Sequence, residues 1–344
     1  MIGAEASRDR NFCFGNCSNC KPKSAMVKTN QKSWGSFMHT SVKKLGIQAH
    51  WLGLILLLLA SPLCLAQELE ENAGTTRMEA EAATAGNRFV LIPHKRNYFL
   101  LSYADDPNDD AFKDLLDNED AELDNTETEF QVSIKVALAR DTFYNGDALQ
   151  VGFTLKSFWQ TFNEDESSPF RETNYQPELW YRTPIPWNSF GSETMLWGIG
   201  VEHQSNGRSR ELSRSWNRIY TTVTWLVEDY AFRFKPWYRI PEDDKDDPTD
   251  TGGDDNPDIQ KYMGYFEFTG IHNSDGNEFG FMIRNNVGSG ASHSRGAVQL
   301  DYTFPLWGRV RGYAQFFNGY GNSLIDYNYN LTRVGVGILL SDIL

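Results

Sequence analysis

A two-residue rhythm runs from residue 88 to the C-terminal end of the sequence, and it leaves few folds open. Phe130, Val132, Ile134, Val136 and Leu138 alternate with Gln131, Ser133, Lys135, Ala137 and Ala139. Val298, Leu300, Tyr302 and Phe304 alternate with Gln299, Asp301 and Thr303. Side chains along a strand point to opposite faces in turn, so each segment carries one apolar face and one polar or small face. Twelve such segments begin near Phe89, Glu129, Leu149, Asn174, Thr194, Ser215, Tyr230, Ile259, Asn277, Gly296, Arg309 and Thr332.

The connectors alternate in length. Long ones cover 104–128, 162–173, 206–213, 241–258, 287–295 and 318–331; short ones include 145–146, 228–229, 275–276 and 305–308. Outer-membrane barrels have short turns at one end and long loops at the other, and an even strand count leaves both termini in the periplasm. A soluble β-sandwich shares the strand period but has no need of the length alternation. The expected fold is all-β, a twelve-stranded antiparallel transmembrane β-barrel of the outer membrane over residues 88–344. A mean hydropathy of −0.51 argues against a bundle of membrane helices, whereas the alternation of a barrel averages to a hydrophilic value. Aromatic residues make up 14% of the chain and suit girdles at the two membrane interfaces. A net charge of −14 speaks against a nucleic-acid partner.

The long apolar run, 51–60, follows Lys43 and Lys44 and precedes Ser-Pro-Leu-Cys-Leu-Ala. It is too short for a comfortable membrane span, and with its basic flank and small residues before Gln67 it reads as a secretory signal. The expected division is an upstream segment at 1–37, a signal peptide at 38–66 starting at Met38 and cleaved after Ala66, and a flexible periplasmic lead-in at 67–87. A lipoprotein reading through Cys64 is disfavoured by Leu63 in front of it. Cys13, Cys17 and Cys20 have a metal-cluster spacing but precede the signal, so the mature chain has no disulfide and no thiol nucleophile.

One stretch carries chemistry: HQSNGRSRELSRSWNRIY, residues 203–220. In the fifth segment His203 and Ser205 continue the parity of Trp197, Ile199 and Val201; in the sixth, Asn217 shares the parity of Ile219 and Val223. All three therefore point at lipid near the extracellular end. Pairing about a hairpin centre near Arg210 sets Asn217 opposite His203, with Cβ atoms about 5 Å apart. Polar groups on a lipid face are costly, and a single one is an ordinary headgroup-level residue. Three converging there suit a serine nucleophile, its base and an orienting amide, and a lipid substrate. The acidic run EDDKDDPTDTGGDDNPD at 242–258 holds nine carboxylates and one lysine. It lacks the last glutamate of an EF-hand loop and reads as a solvated loop.

The 203–220 stretch resembles the active-site region of the outer-membrane phospholipase A family, also called detergent-resistant phospholipase A. SSPFRETNYQPELW (167–180), KPWYRIPEDD and DDNPDIQKYMGYF (within 235–266), and GYGNSLIDYNYNLTRVGVG (319–337) resemble family segments too. The resemblance implies a twelve-stranded, calcium-dependent serine hydrolase of the Gram-negative outer membrane, with phospholipase A1, A2 and lysophospholipase activities, active as a homodimer on membrane phospholipids. It makes His203 the base, Ser205 the nucleophile, Asn217 the orienting residue and the Gly207 amide an oxyanion donor. It implies Ca²⁺ held by Ser213, the main-chain carbonyl of Arg208 and, from a second subunit, Ser167. Four features depart from the family pattern. Arg210 stands where an aspartate serves a further calcium site, although Glu211 is adjacent. Leu155 replaces an interface glutamine, Leu344 replaces the C-terminal aromatic, and the acidic loop is longer. Two alternatives stay open: a lipid A acyl hydrolase, and a passive porin whose channel is lined by Lys135, Arg214, Arg218, Arg233 and Asp301.

Overall fold

The computed structural model describes residues 90–341, apart from 113–121, 165–167, 187–190, 193, 248–249, 251, 289–292 and 309. The segments at 1–37, 38–66 and 67–87, all four cysteines, Ser167 and Leu344 lie outside the described residues.

Twelve long strands follow the alternating segments: β1 (Asn97–Ala104), β2 (Thr126–Arg140), β3 (Ala148–Trp159), β4 (Phe170–Pro184), β5 (Thr194–Ser205), β6 (Ser215–Val227), β7 (Tyr230–Ile240), β8 (Phe266–Ser274), β9 (Asn277–Asn285), β10 (Gly296–Trp307), β11 (Val310–Tyr320) and β12 (Asn330–Ser341). Each pairs antiparallel with its neighbours in sequence, and β12 pairs back onto β1, with Val336 opposite Leu101 and Ile338 opposite Phe99. One sheet closed on itself excludes the two-sheet sandwich. Closure pairs each of the twelve strands with a neighbour on both sides, as hydrocarbon requires of a membrane-spanning sheet.

The period-two pattern sorts the side chains. In β1, Phe99, Leu101 and Tyr103 point outward, while Tyr98, Leu100, Ser102 and Ala104 are buried. In β10, Val298, Leu300 and Tyr302 are exposed, and Asp301 and Thr303 are buried. The outward set is the surface that lipid covers.

Ion pairs fill much of the lumen. The Arg171 guanidinium donates from Nε and Nη2 to both Glu127 oxygens at 2.9 Å, and from Nη1 to Asp326 Oδ2 at 2.6 Å. Arg333 reaches the same Glu127 at 2.5 Å. Arg96 lies between Asp301 at 2.6 Å and Glu278 at 2.5 Å. Lys156 pairs with Glu129 at 3.0 Å. Removing one member of a buried pair strands its partner in low dielectric, at about 3–5 kcal/mol. Arg171→Ala is therefore expected to destabilise the barrel by that order, because Asp326 loses its counter-charge and Glu127 is left with Arg333 alone. Urea titration followed by the gel shift between folded and heat-unfolded barrel checks this; an unchanged midpoint would refute it.

Three sequence expectations are revised. The first segment is interrupted: Ile92–Pro93 and β1 both pair with β2, and between them the chain turns inward. There His94 stacks on Trp180 with centroids 4.6 Å apart and bonds to Glu178 at 2.7 Å, and Arg96 meets its two acids. The eighth strand begins at Phe266 and not near Ile259. Residues Gln260–Met263 form one helical turn, because Ile259 and Met263 bury together against Trp237, Leu324 and Tyr327 over the lumen. Among the basic residues expected inside, Lys135, Arg218 and Arg233 line an interior cavity of about 380 Å³, as does Asp301. Arg214 does not. It folds back onto the loop, donating to the Glu211 and Ser213 carbonyls at 2.7 Å, with its guanidinium 5.9 Å from the Tyr327 ring centroid.

Candidate active site

The hairpin β5–β6 sets the site. Its register places His203 opposite Asn217 and Ser205 opposite Ser215. Val201 and Ile219, the next outward pair, are exposed, so the polar patch ends a lipid-facing column. Inward residues on either side of it are bonded across the same two strands. Glu202 pairs with Arg218, and Gln204 accepts from Trp216 Nε1 at 2.9 Å. Glu202 also receives Lys235 at 2.7 Å, and the Arg218 guanidinium lies 3.7 Å from the Trp216 ring centroid. The buried Trp216 and the cluster around it hold this section of the wall from inside.

His203 Nδ1 and Asn217 Oδ1 are 2.8 Å apart. An amide oxygen only accepts, so Nδ1 carries the proton and Nε2 keeps its lone pair. Asn217 Nδ2 donates in turn to Glu242 Oε1 at 3.0 Å. Ser205 lies two residues further along the same face as His203, about 6.7 Å along the strand. Its hydroxyl makes no hydrogen bond to another described residue. Nucleophile–base contacts that are long without substrate commonly tighten when it binds.

The loop after β5 is wound around one buried amide. Asn206 Oδ1 accepts from Arg208 N at 3.2 Å and Arg214 N at 3.0 Å, while its Nδ2 donates to Leu212 O at 2.8 Å. Gly207, next to it, has φ +66°, a left-handed conformation that costs other residues a Cβ clash. A Cβ added there would stand 3.1 Å from the Tyr175 ring. The turn that Gly207 permits begins two residues after Ser205.

The acidic loop after β7 closes over the opposite side. Ser213 Oγ donates to Asp255 Oδ2 at 2.7 Å, Ser215 Oγ reaches the same oxygen at 3.3 Å, and Asn256 Oδ1 accepts from Ser215 N at 3.0 Å. Lys245 pairs with the other Asp255 oxygen at 2.5 Å. So the run that reads as a solvated loop is in part built into the site. Sequence reasoning missed Asn206, Glu242, Asp255 and Asn256. Asn206 alone carried a signal, as an asparagine before glycine in a tight turn.

Calcium takes hard oxygen donors. The donor set available at the loop, Ser213 Oγ and the Arg208 main-chain oxygen with the Asp255 carboxylate behind Ser213, is of that kind. Arg208 and the residue after Ser213 are both tied to Asn206 Oδ1, which keeps the two donors on one closed loop. In donor chemistry these residues suit a calcium ion. Arg210 begins the 3₁₀ turn Arg210–Leu212, and Glu211 is exposed. Leu155 lies on β3 with the outward parity of Phe153.

The family model for Phospholipase A1 matches residues 75–340. The chain belongs to the phospholipase A1 family. It is 39% identical over 263 residues to Phospholipase A1 of Escherichia coli K12, covering 75% of this chain and 83% of that protein. It is 38% identical to Phospholipase A1 of Klebsiella pneumoniae, covering 75% of this chain and 84% of the relative. The structure is similar to outer membrane phospholipase A from Escherichia coli, with a TM-score of 0.67 at 36% identity over 75% of this chain and 94% of the other. The outer membrane phospholipase dimer of Salmonella typhi, which contains bound calcium, matches over the same shares with a TM-score of 0.66 at 36% identity. This member of the phospholipase A1 family is a carboxylic ester hydrolase and an outer-membrane β-barrel. The passive-porin alternative gives way to an enzyme.

Proposed function

We propose that the enzyme hydrolyses acyl esters of phospholipids at the outer leaflet through Ser205, His203 and Asn217, with A1, A2 and lysophospholipase activity. The observation that carries this reading is the His203 Nδ1–Asn217 Oδ1 bond on the lipid-facing side, beside a serine of the same parity. Ser205 Oγ attacks the ester carbonyl carbon while His203 Nε2 takes its proton. The oxyanion forms beside the Gly207 N–H. The intermediate expels the alcohol of a lysophospholipid, which takes the proton back from His203. Water, activated by the same imidazole, then releases the fatty acid and restores Ser205. Asn217 holds the ring throughout and remains neutral.

Ser213, the Arg208 carbonyl and the partner subunit's Ser167 would hold Ca²⁺, whose charge would favour the developing oxyanion. A ligand taken from a second copy links metal binding to dimer contact, each strengthening the other by the same factor. We propose the homodimer as the active form, with a secretion leader ending at Ala66 delivering the barrel to the membrane. Covalent labelling by a long-chain sulfonyl fluoride, followed by peptide mapping, tests the nucleophile. The label is expected on the peptide holding Ser205, only in the presence of calcium. Label confined to another residue, or stoichiometric turnover without label, would remove the reading.

A further inference from the structure

Among the described residues, Glu242 is the one carboxylate bonded to the proposed catalytic trio. It stands two residues beyond Ile240, the register partner of Asn217 on β7, so the strand itself carries it past the orienting amide. Pro241 lies between them and ends the ladder for want of an N–H. The loop stem that follows is pinned. Asp254 N donates to Asp243 O at 2.7 Å, Arg239 holds Asp254 Oδ1 at 2.5 Å and the Pro257 carbonyl at 3.1 Å, and Asn256 is fully buried. Gly253 at φ +95° allows the close approach, since a Cβ there would meet Asp243 O at 2.9 Å.

The geometry points to Glu242 as a positioning residue that fixes the protonation pattern of His203 by fixing which way Asn217 faces. An asparagine amide presents either end with nearly the same shape. Turned over, Asn217 would offer N–H to His203 Nδ1 and draw the proton to Nε2, the atom that must be free to accept from Ser205. A carboxylate accepts and cannot donate, so at 3.0 Å from Nδ2 it tolerates only the productive orientation. Glu242 thereby gives a neutral orienter the one-way character of a charged one, without placing a charge against the imidazole on the lipid face.

This inference rests on the Ser205–His203–Asn217 reading, and the test separates the two. Glu242→Ala, Glu242→Gln, Asn217→Ala and the double variant Asn217→Ala/Glu242→Ala are compared as folded dimers in mixed micelles with saturating calcium. Outer partners that orient a metal-bound histidine typically contribute about 10–100-fold, and Glu242 stands in the same relation to His203 through Asn217. Glu242→Ala is expected to lower kcat about tenfold with KM unchanged, and Glu242→Gln to fall in between, because its amide oxygen still accepts from Nδ2. In the Asn217→Ala background, Glu242→Ala is expected to change nothing further. ¹⁵N spectra of histidine-labelled enzyme, with His203 assigned by its alanine variant, should show the Nδ1–H form alone in the parent and a mixture in Glu242→Ala. An equal kcat loss in both backgrounds, a loss confined to KM, or an unchanged His203 spectrum would overturn the positioning role. If instead Ser205→Ala kept its activity, the reading beneath it would fall and the Glu242 proposal with it.

Discussion

Ser205→Ala is expected to reduce ester hydrolysis by about four orders of magnitude or more, while the barrel assembles as before. Loss of a nucleophile collapses the whole trio, since base and orienter have nothing left to activate. The structural cost is small: Ser205 is half-buried, and its hydroxyl bonds to no other described residue. Substitutions of that kind usually stay within about 0.5 kcal/mol. Asn217→Ala is expected to lose less, about a hundredfold, because a displaced base still works part of the time. Release of fatty acid from mixed micelles, beside the gel shift of the folded barrel, measures both. Full activity in Ser205→Ala excludes the mechanism; Asn217→Ala as inactive as His203→Ala would show that Asn217 does more than orient.

Removal of calcium should be nearly as severe for activity and far gentler for the fold. Every strand closes onto its neighbours by backbone bonds, and the lumen is held by its own ion pairs. The two donors proposed from this chain, Arg208 and Ser213, lie on the loop after β5, outside the strands of that wall. Excess chelator is expected to abolish turnover and sulfonylation together, to leave the urea midpoint of the barrel unchanged, and to be reversed by added Ca²⁺. Ser213→Ala should raise the calcium needed for half-maximal rate. In that variant Asp255 keeps Lys245 and the Ser215 hydroxyl as partners, so the loop retains its other bonds. Undiminished turnover in excess chelator would rule the metal out.

The barrel could be read from the chain because period two is a property of neighbours. Alternation along β1 or β10 reports the two faces directly, and connector length reports the two ends. The pairing of His203 with Asn217 was legible for the same reason, since parity and a hairpin centre suffice to set one against the other. What escaped depends on contacts that parity does not encode. His94 and Arg96 leave the wall where the first strand breaks, and nothing in their spacing marks the break. Ile259 and Met263 look like a strand because four-residue spacing satisfies period two as well as a helical turn. Glu242 and Asp255 sit in a run of like residues, and only the folded loop distinguishes those that face the site from those that face water. Composition makes such a run look uniform when its members are not.

The cross-strand bonds on the inner face of β5 and β6 carry one more consequence. Glu202–Arg218 and Gln204–Trp216 alternate with His203–Asn217 along the same two strands, so a slip of pairing by one residue would do two things at once. It would turn one strand's share of the trio into the lumen and push that strand's inner polar groups, Glu202 and Gln204 or Arg218 and Trp216, into hydrocarbon. Partly wrong assemblies are therefore the costly ones, and the hairpin has no inexpensive inactive neighbour in which to rest. A lipase that resides in the lipid it attacks gains from this arrangement. Its chemistry is held in register by an error penalty on the far side of the wall, where lipid never reaches.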